Sequence, residues 1–197
     1  MALMPAFGNL KKKGKSEMSE TAFDVLLKTR RSYRKFKAEV PAQELVDKVV
    51  QAGLLAPSGR KKQTSIVIRI EDPAIRKELV EENAAIRGEP PPGRVFDPFY
   101  AAPVILLVIA EKKPESTPVY DGTLTLGNML IKAHELGLAG CWIHRAKEEM
   151  ERPFGRKLLE RLGLKGEYEG IGHLALGYPD GPEPQPYDIA PGRYLTI

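Results

Sequence analysis

Residues 101–110, Ala-Ala-Pro-Val-Ile-Leu-Leu-Val-Ile-Ala, form the longest apolar run in the chain. Ten residues are too few to cross a bilayer as a helix, which takes about 20. The run is rich in Val and Ile and bounded by turn residues, so it reads as a buried strand. Three further strand candidates lie at residues 65–70, 139–143 and 171–176, and the first of them shares this character. Helical patterns lie between them, and interleaving of this kind indicates a single layered structure of the α+β or α/β type.

The helical segments carry their own start and stop signals. Ser19 is placed to cap a short helix with Phe23, Leu26 and Leu27 as its apolar positions, and Pro41 to open a second in which Leu45, Val46, Val49, Val50 and Leu54 follow at helical spacing. Asp72-Pro73 opens a third, Asp121 precedes a long apolar stretch over 124–138, and Pro153 starts a last helix ended by Gly163. No internal repeat is present. The proline-rich segment 87–97, with Pro90, Pro91 and Pro92, is a stiff loop within one domain, because apolar elements resume directly after it.

Composition narrows the function classes. A chain of 197 residues, 42% hydrophobic and 28% charged, buries a core without staples, and its single cysteine, Cys141, fits a reducing compartment. The net charge of +4 resides at one end: residues 1–15 hold four lysines (Lys11, Lys12, Lys13 and Lys15) and no acid, which leaves 26 basic against 26 acidic residues elsewhere. Residues 1–18 are therefore read as a disordered basic tail and 19–197 as the folded domain. A neutral body speaks against nucleic-acid binding, and the short apolar runs speak against a membrane span. His134, His144 and His173 lack metal-ligand spacing, so no metal site is expected.

Four clusters carry chemistry. In Thr29-Arg30-Arg31-Ser32-Tyr33-Arg34-Lys35-Phe36, an extended backbone puts Arg30, Ser32 and Arg34 on one side. Guanidinium forks and a hydroxyl converging there make a phosphate cradle, although a solvated basic loop fits the cluster taken alone. Ala56-Pro57-Ser58-Gly59-Arg60-Lys61-Lys62-Gln63 is a turn that exposes backbone donors and permits close approach at Gly59. Gly137-Leu138-Ala139-Gly140-Cys141-Trp142-Ile143-His144 places small residues ahead of a Trp, leaving room for a planar ring against the backbone or simply seating Trp142 in the core. Ala175-Leu176-Gly177-Tyr178-Pro179 ends a strand in a turn.

The order of these four, with Gly127-Asn128-Met129-Leu130 leading into the third, resembles the nitroreductase family over roughly residues 21–193. The resemblance implies an α+β fold: an α/β sandwich with a mixed, mainly antiparallel sheet wrapped by helices, built as an intertwined homodimer with FMN at the interface. It implies that Arg30, Arg31, Ser32 and Arg34 bind the FMN phosphate and ribityl chain, completed by Arg193. Pro57, Ser58 and Gly59 would line the isoalloxazine from the partner subunit, and Cys141, Trp142, Ile143 and His144 would run along it, offering a backbone N–H to its hydride-accepting nitrogen. Lys61 stands where relatives commonly carry Asn, so it either brings positive charge to the pyrimidine end of the flavin or points to water. His144 is the one candidate for proton donation, and Phe96, Phe99 and Tyr100 the candidates for a substrate lid. The implied activity is cytoplasmic reduction of a small-molecule acceptor, a nitroaromatic, quinone or related compound, by NADH or NADPH in a ping-pong cycle. A dehalogenating or flavin-consuming relative and a flavin-binding module with little turnover are the alternatives the motifs leave open.

Overall fold

The computed structural model describes residues 20–88, 96–186 and 188–197. The basic tail, the Ser19 cap and most of the proline-rich loop lie outside the described residues. Six helices and four strands alternate: α1 (Ala22–Thr29), α2 (Gln43–Leu54), β1 (Ser65–Arg69), α3 (Pro73–Arg87), β2 (Val104–Glu111), α4 (Pro118–Glu135), β3 (Ala139–Ile143), α5 (Ala146–Glu151), α6 (Pro153–Arg161) and β4 (Tyr168–Gly177).

The strands form one sheet in the order β1-β2-β4-β3, every adjacent pair antiparallel. The apolar run singled out in the sequence supplies β2, at the centre. Because side chains alternate across a strand, Ile105, Leu107 and Ile109 enter one core layer and Val104, Leu106, Val108 and Ala110 the other. The first layer is closed by Leu79 of α3, Met150 of α5, Phe154 and Leu158 of α6, and by Tyr33, Phe36 and Phe99. The second is closed by Val46 and Val49 of α2 and by Leu126, Met129 and Ala133 of α4. A strand buried on both faces thus needs two helical layers, and each fully buried Leu or Ile contributes about 1.5–3 kcal/mol to holding them there.

Local signals set most of the boundaries. Asp72 caps α3, its carboxylate accepting from the N–H of Ala74 at 2.8 Å and Ile75 at 3.2 Å, with Pro73 in the first turn. Thr21 caps α1 in a reciprocal box with Asp24. Pro41 does not open α2. It is buried one residue ahead of the Ala42 cap, where it packs rather than starts the helix. Asp121 lies inside the first turn of α4, which begins at Pro118. β4 is longer than its apolar segment, because Tyr168 and Glu169 continue the ladder opposite Glu111 and Ala110 beyond a bulge at Ile171.

Candidate functional site

β3 is an edge strand, and the first basic cluster runs past its start. Ser32 bridges Gly140 in parallel, the Tyr33 N–H donates to the Gly140 carbonyl at 3.1 Å, and Phe36 bridges Pro179. Along a strand, a residue's N–H and C=O point to the same side and alternate with its neighbours'. Since Gly140 faces away from β4, so do the backbone groups of Trp142. Arg34, Ser32 and Arg30 all act on the Cys141 thiol. Burial pushes that thiol up, and Arg34, Ser32 and Arg30 oppose it without prevailing.

Arg30 and Arg31 line a cavity of about 750 Å³ together with Leu27, Lys28, Pro186, Asp188, Ile189 and Arg193. The C-terminal segment folds back to α1 to make it, and the Arg31 Nε donates to the Gln185 carbonyl at 3.2 Å. Four cationic side chains face one acid there. Arg30 Nη1 is buried and has no hydrogen-bond partner among the described residues. A buried guanidinium donor without an acceptor is costly, so this cavity suits an anion. Arg193, distant in sequence, lines the same cavity, while Arg34 is exposed and does not line it.

The second cluster forms a separate cavity of about 220 Å³, lined by Leu54, Ala56, Pro57, Ser58, Gln63, Ser65 and Thr125. The two cavities share no residue. The turn that shapes the second is held by a group the motifs did not single out. Asp121 accepts from the Gly59 N–H at 2.9 Å, from Thr117 Oγ1 at 2.8 Å and from Thr64 Oγ1 at 2.9 Å. Burial raises its pKa, but these three hydrogen bonds outweigh burial and hold it below the ordinary Asp value. Gly59 is required by contact: a Cβ there would lie 2.2 Å from Thr117 Oγ1. Beyond it, Arg60 and Lys61 take left-handed conformations at φ 51° and 57°, and Lys61 is exposed.

The third cluster leads out of β3. Cys141 and Ile143 point into the core layer, Trp142 is half-buried against the other, and His144 is exposed. The proposed lid is revised. Phe99 has no exposed surface and meets the His173 ring edge-on, 5.1 Å between centroids, so it is a core residue. Tyr100 is half-buried with φ 55°, and Phe96 is half-buried under the guanidinium of Arg87, 3.6 Å from its ring centroid. Among the described residues no cluster of His, Cys, Asp and Glu is placed to hold a metal, and no helix is long and apolar enough to cross a membrane.

A helix-wrapped antiparallel sheet with an anion cradle beside an open strand edge defines an α+β class that comparison makes specific. The chain belongs to the nitroreductase family, whose model matches residues 27–178. A putative NADH dehydrogenase/NAD(P)H nitroreductase from Methanothermobacter thermautotrophicus is 32% identical over 126 residues. That stretch is 60% of each protein, so the chain spans under two thirds of this relative. An NADPH-dependent oxidoreductase from Staphylococcus saprophyticus is 26% identical over 183 residues, 84% of this chain and 68% of that one. Among solved structures, a Bacteroides fragilis nitroreductase with bound FMN superposes with a TM-score of 0.79 at 23% identity, over 90% of this chain and all of that one, and shares the fold. An iodotyrosine deiodinase bound to FMN and 3-iodo-L-tyrosine superposes with a TM-score of 0.66 at 25% identity, over 89% of this chain and all of that one.

Proposed function

We propose that this protein is an FMN-dependent oxidoreductase that draws electrons from NADH or NADPH and delivers them to a small-molecule acceptor of the nitroaromatic or quinone class, in a ping-pong cycle. The observation that carries the reading is a cavity lined by Arg30, Arg31 and Arg193, with Arg30 Nη1 buried and without a hydrogen-bond partner among the described residues. The donor set fits a phosphate. Arg30 and Arg31 would hold two of its oxygens, Arg193 would close the cradle from the C-terminal segment, and Ser32 and Arg34 would meet the chain that joins phosphate to ring. When bound, FMN supplies two-electron redox chemistry that amino-acid side chains lack.

The remaining residues orient and shield. The open edge of β3, from Cys141 to His144, gives a flat ring a backbone to lie along, with exposed His144 near its end as the candidate proton donor. Pro57 and Ser58 line the separate cavity, with Gly59 next to them in the same turn, which suits the arrangement in which a second copy brings this turn to the first copy's cradle. Lys61 would then face the pyrimidine end of the flavin. Apolar surface supports a homodimer: α1 buries none of its side chains, and Phe23, Leu27, Tyr120, Tyr194 and Leu195 stand exposed. The lone cysteine requires no oxidising compartment, in keeping with a cytoplasmic protein.

The test is spectroscopic. Purified protein titrated with FMN is expected to bind it stoichiometrically, and anaerobic NADH or NADPH to bleach the flavin within seconds. Protein that takes up no FMN overturns the reading, and flavin that is bound but reduced only over hours turns it into a binding module.

A further inference from the structure

Three polar side chains are fully buried together beneath the end of β3: Asn83 on α3, Glu149 on α5 and His173 on β4. A carboxylate and an imidazole inside an apolar layer must be compensated by partners. Asn83 Nδ2 donates to Glu149 Oε1, and Glu149 Oε2 lies 2.9 Å from His173 Nε2, at ion-pair distance but outside hydrogen-bond geometry. The same Asn83 Nδ2 donates to the His144 carbonyl at 2.9 Å, and Asn83 Oδ1 accepts from Arg145 Nη1 at 3.1 Å. His173 stands directly across the ladder from Ile143, and Phe99 covers its ring. One buried amide therefore ties the backbone of His144, the side chain of Arg145 and the carboxylate of Glu149.

The turn so held is strained and closely packed. Arg145 has φ 81°, in the left-handed region that a bulky side chain enters only when its surroundings impose it. The start of α5 is fixed from the other side by Gly170, where a Cβ would lie 2.0 Å from the Ala146 carbonyl oxygen. A trans peptide is planar with its C=O and N–H opposed. With the His144 carbonyl drawn inward to Asn83, the Arg145 N–H points away from the network, and no described residue accepts it.

We propose that Asn83, held by Glu149, is a positioning residue that locks the His144–Arg145 peptide, and with it the backbone N–H that the family resemblance directs at the hydride-accepting nitrogen of the flavin. This rests on the FMN reading above. The oxidised ring nitrogen accepts such a hydrogen bond, whereas the reduced, protonated one does not. A well-aligned donor therefore favours oxidised flavin, and loosening it raises the midpoint potential.

The experiment compares full-length holoprotein carrying Asn83→Ala with wild type and with Leu79→Ala, a buried residue one turn earlier on α3. Asn83→Ala is expected to change the relative affinity for oxidised and reduced FMN about tenfold, a rise of about 30 mV for a two-electron couple. It is also expected to speed amide exchange across residues 144–147 in the apoprotein. Leu79→Ala is expected to lower Tm and leave the potential unchanged. Should Asn83→Ala not accumulate as folded protein, Asn83→Ser, which keeps a small donor, is read in the same way. An unchanged potential in the Asn83 variants, or an equal shift in Leu79→Ala, overturns the proposal while FMN binding stands. Failure of wild type to bind FMN overturns the underlying reading and this inference with it.

Discussion

The Asp121 carboxylate holds the Gly59 N–H at 2.9 Å across 62 positions of sequence, and so ties the first turn of α4 to the loop that carries Pro57 and Ser58. Thr64 and Thr117 donate to the same carboxylate. Asp121→Ala leaves three donors without an acceptor. The expected cost is about 3 kcal/mol, a fall in Tm of about 6–12 °C for a domain of this size, with a larger loss of order in residues 57–63 than in the sheet. The pKa direction adds a pH signature. A carboxyl whose native pKa lies below its unfolded value stabilises the fold above the unfolded pKa, near 3.9, and that contribution disappears as pH falls through the lower native value. Asp121→Asn is therefore expected to flatten the acid limb of a stability-against-pH profile measured by urea unfolding. A profile that parallels wild type would show that Asp121 does not carry the charge assigned to it.

Phe99 distinguishes a lid from a core. It is fully buried and packs edge-on against His173. Phe99→Ala is expected to cost about 3–5 kcal/mol of stability, read as a shift of the urea midpoint with little change in slope. Half-buried Phe96, which lies beneath Arg87, is expected to tolerate the same change within about 1 kcal/mol. Reversal of that order would return Phe99 to the surface.

How much of this was legible in the sequence depended on whether the signal was local. The β2 run, the Asp72-Pro73 helix start and the Gly163 stop are statements about neighbours, and the structure bears each out. The order of the motifs pointed to the family. α5 was missed because six residues, Ala-Lys-Glu-Glu-Met-Glu, are too few to show a helical period. Glu149 within it is fully buried, a fact set entirely by Asn83 and His173 from other elements. Asp121 was read as a helix boundary, since its three hydrogen-bond donors lie as far as 62 residues away. Phe99 beside Tyr100 looks like an aromatic lid in sequence, and only the register of β4, which places His173 beneath it, makes it core.

Arg30 and Arg193 are expected to separate binding from folding. Arg30 Nη1 has no hydrogen-bond partner among the described residues, so Arg30→Ala removes an uncompensated buried donor and should leave the apoprotein Tm unchanged or slightly higher. Loss of a charge-assisted contact to phosphate is worth about 1.5–3 kcal/mol, or roughly 10–150-fold in FMN affinity, measured by quenching of flavin fluorescence. Arg193→Ala should act in the same direction and less strongly, because Arg193 is exposed. If both variants retain wild-type FMN affinity, the phosphate lies elsewhere.

His134 gives the cradle a pH dependence. Its Nε2 lies 2.7 Å from Thr29 Oγ1, whose hydroxyl already donates to the Val25 carbonyl at 2.8 Å, so the ring donates to Thr29. Burial lowers the His134 pKa below 6.5, Arg30 and Arg31 push it the same way, and Glu183 opposes them. In the apoprotein the unfolded chain therefore binds the proton more readily, and stability rises with pH between the depressed native value and 6.5. An anion between Arg30 and Arg193 raises the native pKa, so binding takes up a proton and strengthens as pH falls through this window. The flavin phosphate itself has a pKa near 6 and loses charge over the same range, which weakens binding at low pH in any variant. The informative quantity is thus the difference between proteins. FMN affinity measured at pH 6, 7 and 8 is expected to fall more steeply towards low pH in His134→Gln than in wild type. Identical slopes would remove His134 from the phosphate site.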